Sequence, residues 1–469
     1  MHKILATYIF ALFSCVAVYG QSHELRVLGT WDNDDLPIRD FQAFNDIWGW
    51  HDDAGKEYAI MGSLDSIYFI DVTDPANPVA RDVEPGKWNG CVHRDFKTYD
   101  KYCYAVADEG YSSLQIFDMS YLPDSVHKVY DSDEFTYKTH NIFIAGTKLY
   151  LASCSSDDFI PLRVLSLENP EKPELFFDLY APAPDGKRIF NEVHDLYARN
   201  DTVYCNTGDP GLFTFIHKAD TLQKSNDDSS WTVVKQRMRL LEYGSLTWYP
   251  SSGYNHSSWL SNNGEYLVMQ DEIAGAKLKM VKFSWDELPE VVSTFGVNAS
   301  KGSTPHNAFI YKKKVYISYY HEGVVIFDIA NPETPRLIAQ YDTDTVAPNY
   351  DGLYGCWGVY PYLPSGNIIA SDQLNGLYVF DLAVSTPNID KVVVEVYPNP
   401  THDFLTIKVP VELSGRSVAS ILDMSGRQIM QDIELMGDVQ IDVSGLASGV
   451  YAVRIENGEM SVVKRVVIR

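Results

Sequence analysis

His140-Asn-Ile-Phe-Ile-Ala-Gly-Thr-Lys-Leu-Tyr150-Leu-Ala-Ser153 is the stretch whose reading decides the fold. Apolar residues alternate on both sides of Gly146-Thr147, the pattern of a β-hairpin with one buried face. In that hairpin residue 144 faces 149 and residue 140 faces about 153. The residue ten before Tyr150 therefore stands at the start of the first strand. The same count recurs along the chain. Tyr58 gives Trp48, Tyr104 gives Arg94, Tyr204 gives His194, Tyr266 gives His256 and Tyr316 gives His306. Asn367, at the tyrosine position of the last unit, gives Trp357.

A second phrase follows each hairpin: apolar residues, an Asp, and then Asn-Pro-x-x-Pro or a degraded copy. It reads Tyr68-Phe-Ile-Asp-Val-Thr-Asp-Pro-Ala-Asn-Pro78, Gln115-Ile-Phe-Asp-Met119, Arg163-Val-Leu-Ser-Leu-Glu-Asn-Pro170 and Met280-Val-Lys-Phe-Ser284. Val325-Ile-Phe-Asp-Ile-Ala-Asn-Pro332, Tyr378-Val-Phe-Asp-Leu382 and the diverged Phe213-Thr-Phe-Ile216 complete the set. Units at about fifty-residue spacing are the signature of propeller blades. The seventh unit stops after its third strand, and Glu24-Leu-Arg-Val-Leu-Gly-Thr-Trp31 reads as the missing fourth. The expected fold is all-β: a seven-bladed β-propeller closed by an N-terminal strand, followed by a small β-sandwich. No long segment of 3.6-residue periodicity supports an α/β alternative.

The expected organisation is a signal peptide over 1–20, a propeller over 21–385, a linker over 386–393 and a C-terminal domain over 394–469. Lys3, the apolar stretch Ile4 to Val18 and the small residues near Gly20 have the form of a secretory leader. Cys15 follows Leu12-Phe13-Ser14, which only weakly imitates a lipoprotein cleavage box. No later run is apolar enough to predict a transmembrane segment in the mature chain. The net charge is −25, from 63 acidic and 38 basic residues, and such a field disfavours nucleic acid as a partner. Five cysteines remain after the leader, an odd number, with Cys91 and Cys103 within one unit as a candidate pair.

The repeat strings resemble the family named for Leu-Val-Ile-Val-Asp repeats. Trp48-Gly-Trp50, His140-Asn141, His306-Asn307 and Gly355-Cys-Trp-Gly-Val-Tyr-Pro-Tyr-Leu-Pro-Ser-Gly-Asn-Ile-Ile-Ala-Ser-Asp372 resemble, more closely, the choice-of-anchor B proteins of bacterial surfaces. That resemblance runs from about residue 24 to 385 and implies a shared body with a variable anchor, not a settled reaction. Beyond the linker, Tyr397-Pro-Asn-Pro400, Asp423-Met-Ser-Gly-Arg427 and Val463-Lys-Arg-Val-Val-Ile-Arg469 resemble the type A sorting domain of the Bacteroidetes type IX secretion system. This second resemblance implies Sec export, type IX machinery as a partner, and a product secreted or attached to the outer cell surface.

The equivalent first-strand positions form an expected ring at the channel mouth: Trp48, Arg94, His140, His194, His256, His306 and Trp357. The second strands exit on the same rim at Asp209, Asp271 and Glu272, among others. Imidazoles flanked by carboxylates are donors for zinc, iron, nickel or manganese. The expected metal set is His140, His194, His256, His306, Asp209 and Glu272; Trp48, Arg94 and Trp357 would form a ligand-binding wall. Asp271 and Glu272 are candidate bases for catalysis. Asp342-Thr-Asp344 with Asp351 is a candidate calcium site without a complete loop signature. His51 and His93 fall off the register and read as peripheral. The structural alternative is a histidine in each blade bonded to a neighbouring polar group. Three functions stay open: a ligand-binding propeller with a channel-mouth metal, a metal-dependent hydrolase, lyase or oxidase, and a metal-free interaction scaffold.

Overall fold

The structure is a computed structural model that describes residues 23–180, 188–224, 231–344, 352–384, 394–408, 417–423, 427–435, 438–456 and 461–469. The expected leader, the linker, Asp351 and residues 424–426 of the Asp423-to-Arg427 string lie outside the described residues. Two compact units emerge, Glu24–Ala383 and a C-terminal unit beginning at Val384. Among the described residues a single 3₁₀ turn, Ala299–Lys301, interrupts an otherwise all-β chain.

The larger unit is a propeller-type assembly of four-stranded antiparallel sheets. In chain order, six of them begin with the inner strands Phe44–His51, Arg94–Tyr99, Asn141–Ala145, Asp195–Arg199, Asn255–Leu260 and Asn307–Tyr311. A seventh has the order His23–Trp31, Gly376–Val384, Ile368–Asp372, Cys356–Tyr360. Each inner strand neighbours the next, and Cys356–Tyr360 neighbours Phe44–His51. The N-terminal strand also engages the seventh sheet through the ion pair of Arg26 with Asp381.

The repeated phrases have local physical causes. In the first, second and sixth sheets the Asp ending the third strand turns its carboxylate onto the backbone two residues on: Asp71 accepts from Thr73 N (3.0 Å), Asp118 from Ser120 N (2.9 Å) and Asp328 from Ala330 N (2.7 Å). Where Ser replaces Asp, the hydroxyl of Ser166 takes the same bond from Glu168 N at 3.3 Å. These are Asx- and Ser-type turns, and the prolines that follow hold the chain out of any helix. The second-strand tyrosines 58, 104 and 150 are fully buried between sheets. Tyr104 donates its hydroxyl to the Pro170 carbonyl of the next sheet's turn at 2.9 Å, so the two phrases of the repeat interlock.

The seam between the first and seventh sheets explains the Trp48-Gly-Trp50 string. A Cβ on Gly49 would drive into the Tyr360 ring, and one on Gly358 would press on Ile47. Trp50 packs on Tyr58 and donates to the Asp100 carbonyl, which makes it a packing residue. The five cysteines among the described residues are free and buried, so the candidate Cys91–Cys103 pair is not a disulfide.

The C-terminal unit is a β-sandwich. Glu395–Tyr397, Phe404–Lys408 and Val439–Asp442 form one sheet, and Gln428–Leu435, Ser417–Asp423, Gly449–Glu456 and Ser461–Ile468 form the other. Leu405, Ile407, Ile421, Val453 and Ile455 make its core. Its sequence signatures are structural clamps. Asn399 donates to the Arg465 carbonyl and accepts from Val467 N, both at 2.9 Å, tying the Tyr-Pro-Asn-Pro segment to the last strand. Arg427 returns to Asp423 at 3.0 Å across the hairpin.

Candidate functional site

The inner strands place their side chains by register. Phe143 faces Tyr150, Tyr197 faces Tyr204, Phe309 faces Tyr316 and Lys97 faces Tyr104. Three residues before each stand His140, His194, His306 and Arg94. In the fifth and seventh sheets the hairpins are longer, and Val268 and Ile369 occupy the tyrosine position, facing Trp259 and Tyr360. The residues three before these are still His256 and Trp357. Only the first sheet departs: Trp50 faces Tyr58, so Trp48 stands two before it and lies deeper than the ring. A bulge between Phe44 and Ile47 takes the ring position there, and Asp46 from that bulge lines the cavity instead.

Five imidazoles and one indole close a circuit around the mouth. Centroid separations run His93–His140 5.8 Å, His140–His194 4.1 Å, His194–His256 4.4 Å and His256–His306 4.8 Å, then His306–Trp357 4.9 Å and Trp357–His93 5.1 Å. His93, set aside in the sequence as off register, is a member. It takes the place expected of Arg94, whose guanidinium turns into the seam between the first two sheets. There Arg94 donates to the carbonyls of Ser63 (2.9 Å), Leu64 (2.8 Å) and Trp88 (2.5 Å). Those three carbonyls anchor the guanidinium in the seam, where Arg94 still borders the cavity.

Glu272 is the carboxylate at the centre of this ring. Its Oε2 lies 3.7 Å from His256 Nε2, and its Oε1 lies 4.0 Å from His306 Nε2 while accepting the Tyr320 hydroxyl at 2.6 Å. His306 donates its Nδ1 proton to the Trp357 carbonyl at 2.5 Å, which leaves Nε2 as the lone-pair nitrogen facing Glu272. Donor atoms of His194, His256 and Glu272 lie within 4.8 Å of one another, the one such group among the described residues. His140 is committed elsewhere, with Nδ1 2.6 Å from Asp108.

The electrostatics differ around the circuit. Burial lowers the basicity of His140, but the Asp108 hydrogen bond and charge outweigh it and hold the imidazole above its ordinary value. Burial and the neighbouring imidazoles push His194 and His256 well below theirs. The Nδ1 atoms of His194 and His256 have no hydrogen-bond partner among the described residues.

Two expected site residues are not part of this arrangement. Asp209 is exposed and does not line the cavity. Asp271 alternates to the other face of its strand, where it is fully buried, 2.5 Å from Lys279 Nζ and 2.7 Å from the Tyr249 hydroxyl. It is an ion-pair partner, not a base at the mouth. The Asp342 carboxylate accepts the Asp344 amide at 3.0 Å, a local turn.

The ring residues and those deeper in the channel together line one cavity of about 400 Å³. Its lining includes Asp46, Asp95, Asp195, Asn141 and Asn307 with Lys97, none of them an expected site residue, although Asn141 and Asn307 stand in the strings that carry the family resemblance. The signal was present: Asp95, Asn141, Asp195 and Asn307 each follow a ring position by one residue. Trp48, Phe143, Trp259 and Phe309 line the floor.

The fold and the mouth define the class: an exported propeller-type protein with a polar, histidine-ringed channel. Residues 395–469 match the secretion system C-terminal sorting domain. The chain is therefore a type IX substrate destined for the cell surface or the extracellular space, with the secretion machinery as a partner. Among the described residues no helix is long and apolar enough to cross a membrane. No curated protein matches the chain. Among solved structures it is similar to Raptor of Chaetomium thermophilum, at 12% identity and a TM-score of 0.53, over 78% of this chain and 30% of that one. It is also similar to a periplasmic gluconolactonase of Pseudomonas aeruginosa, at 10% identity and a TM-score of 0.48, over 85% and 99%. The chain thus spans under a third of the Raptor structure, and the likeness concerns the fold alone.

Proposed function

We propose that the body is a closed seven-bladed propeller of the choice-of-anchor B type whose channel mouth binds a transition metal ion and, through it, a small ligand. The observation that carries this reading is the convergence of His194, His256 and Glu272 while two imidazole nitrogens lack partners. Metal–nitrogen bonds of about 2.0–2.1 Å require the three donors to close by about an ångström. The set is imidazole and carboxylate with no thiolate, which suits zinc, iron, nickel or manganese better than calcium. His306 Nε2, 4.0 Å from Glu272 Oε1, is a further donor.

Elemental analysis of the protein after dialysis against zinc, nickel and manganese tests this reading. One equivalent of metal is expected, lost in His194→Ala and His256→Ala with the circular dichroism unchanged. A metal-free wild type under all three conditions overturns it. A second reading is an extracellular metal-dependent hydrolase, lyase or oxidase at the same centre. The buried Tyr320 hydroxyl on Glu272 favours it, because it sets a proton donor beside the carboxylate. Turnover screening of the loaded protein separates the two.

A further inference from the structure

The tier beneath the histidines has its own chemistry. Asp95 and Asp195 hold the same position in the second and fourth sheets, and Asp46 reaches the same level from the bulge of the first. Burial pushes the Asp46 carboxyl well up, where it shares a hydrogen bond with Asp95, and lifts Asp195 to about 7; beside them on this tier stands Lys97. Its Nζ lies 2.6 Å from Asp95 Oδ1, 3.0 Å from the Phe96 carbonyl and 4.3 Å above the Trp48 ring. Asp95 is spent locally, since it also accepts the amides of Phe96 (2.8 Å) and Ile142 (2.5 Å). Asp195 accepts one amide, Leu196 N, at 2.5 Å. The side-chain oxygens of Asn141 and Asn307, on the same tier, have no partner, nor does Nδ1 of His256, only 3% exposed at the ring above.

This is a tier with acceptors in excess and donors wanting. Beneath it lies an aromatic floor: Phe143–Trp259 5.8 Å, Trp259–Phe309 4.7 Å and Trp48–Phe309 6.3 Å between centroids. Carboxylates above aromatic faces are the environment that selects an ammonium over a neutral hydroxyl, through charge, donated protons and the ring quadrupole. Lys97 shows the environment already holding one ammonium. We infer that the cavity takes an ammonium-bearing organic ligand, its cationic nitrogen seated between Asp195, Asn141 and Asn307 and its carbon skeleton on the aromatic floor. The inference rests on the cavity being a ligand site, as proposed above, but does not need the metal.

Calorimetry on the full chain with benzylammonium and its neutral isostere benzyl alcohol tests it, on metal-free and zinc-dialysed protein alike. Benzylammonium is expected to bind at least about tenfold tighter in both preparations. Asp195→Asn removes most of that preference, and Asn307→Leu, a neutral change, weakens benzylammonium several-fold while sparing the alcohol. Equal binding of amine and alcohol overturns the inference, as does a preference untouched by both substitutions. A calcium titration that competes fully with the amine also overturns it, in favour of an inorganic cation. If the amine preference holds while zinc fails to bind, only the metal reading falls; if zinc binds and the preference is absent, only this inference does.

Discussion

Replacing Lys279 by Met tests whether Asp271 is structural, as its burial argues, or chemical, as its place beside Glu272 suggests in the sequence. Both side chains of the pair have 0% exposure, and the contact is 2.5 Å. Met keeps most of the volume of the lysine stem, so the cavity cost is small. What is lost is the only cation on a buried carboxylate that otherwise has the Tyr249 hydroxyl at 2.7 Å and Asn255 at 3.5 Å. Removing one partner of such a pair costs about 3–5 kcal/mol, because the remaining charge stays buried. The double variant Asp271→Asn/Lys279→Met removes both charges and is expected to recover at least half of that loss. Urea unfolding followed by tryptophan fluorescence measures both. Metal content should survive in Asp271→Asn and disappear in Glu272→Gln, whose carboxylate faces the ring. A Lys279→Met protein within about 1 kcal/mol of the wild type would refute the burial reasoning. So would an Asp271→Asn protein as depleted in metal as Glu272→Gln.

Three further outcomes follow from separate parts of the molecule. Burial lifts the Asp372 carboxyl from 3.8 to about 6, against lowering bonds from the Thr343 hydroxyl and the Asn375 and Leu374 amides. A raised carboxyl stabilises the fold below its unfolded value and loses that contribution as pH rises through 6. The wild type should therefore lose about 2 kcal/mol more than Asp372→Asn between pH 4 and pH 7, and parallel stability curves count against it. Gly49→Ala forces a methyl into the Tyr360 ring at the seam of the first and seventh sheets, and overpacking of this kind costs about 1–3 kcal/mol; an unchanged urea midpoint would contradict the seam. A chain cut before residue 395 should accumulate in the periplasm, and its detection at the cell surface by protease shaving would contradict the sorting role.

The repeat was legible because its cause is local. An Asp that caps a turn and a tyrosine that must be buried leave the same marks in every unit. The ring histidines were legible for the same reason, since three residues along one strand fix both height and direction. What the sequence hid came from events between strands. The bulge at Phe44–Ile47 moves Trp48 out of the ring and brings Asp46 in, and nothing in the hairpin count marks it. Arg94 holds the expected position, yet carbonyls of the first sheet and of the segment that follows it draw its guanidinium into the seam, and His93 joins the ring. Asp271 and Glu272 are adjacent and of one charge, so only strand alternation separates an ion-pair residue from a site residue.

The strongest argument for function is the unequal treatment of equivalent histidines. A structural role repeated in each blade would give each imidazole a fixed partner, because burying a ring nitrogen without one is costly. His140 has Asp108 and His306 has the Trp357 carbonyl, and both are thereby oriented. His194 and His256 occupy the same register in the intervening sheets but leave Nδ1 without a partner, and they are also the two whose charged forms the surroundings disfavour most. A neutral imidazole beside a carboxylate, with no side-chain partner fixing its tautomer, can turn a lone pair to a cation. The fold supplies the position on every blade. The chain leaves two of those positions chemically open next to Glu272, and that asymmetry is what a bound ligand would account for.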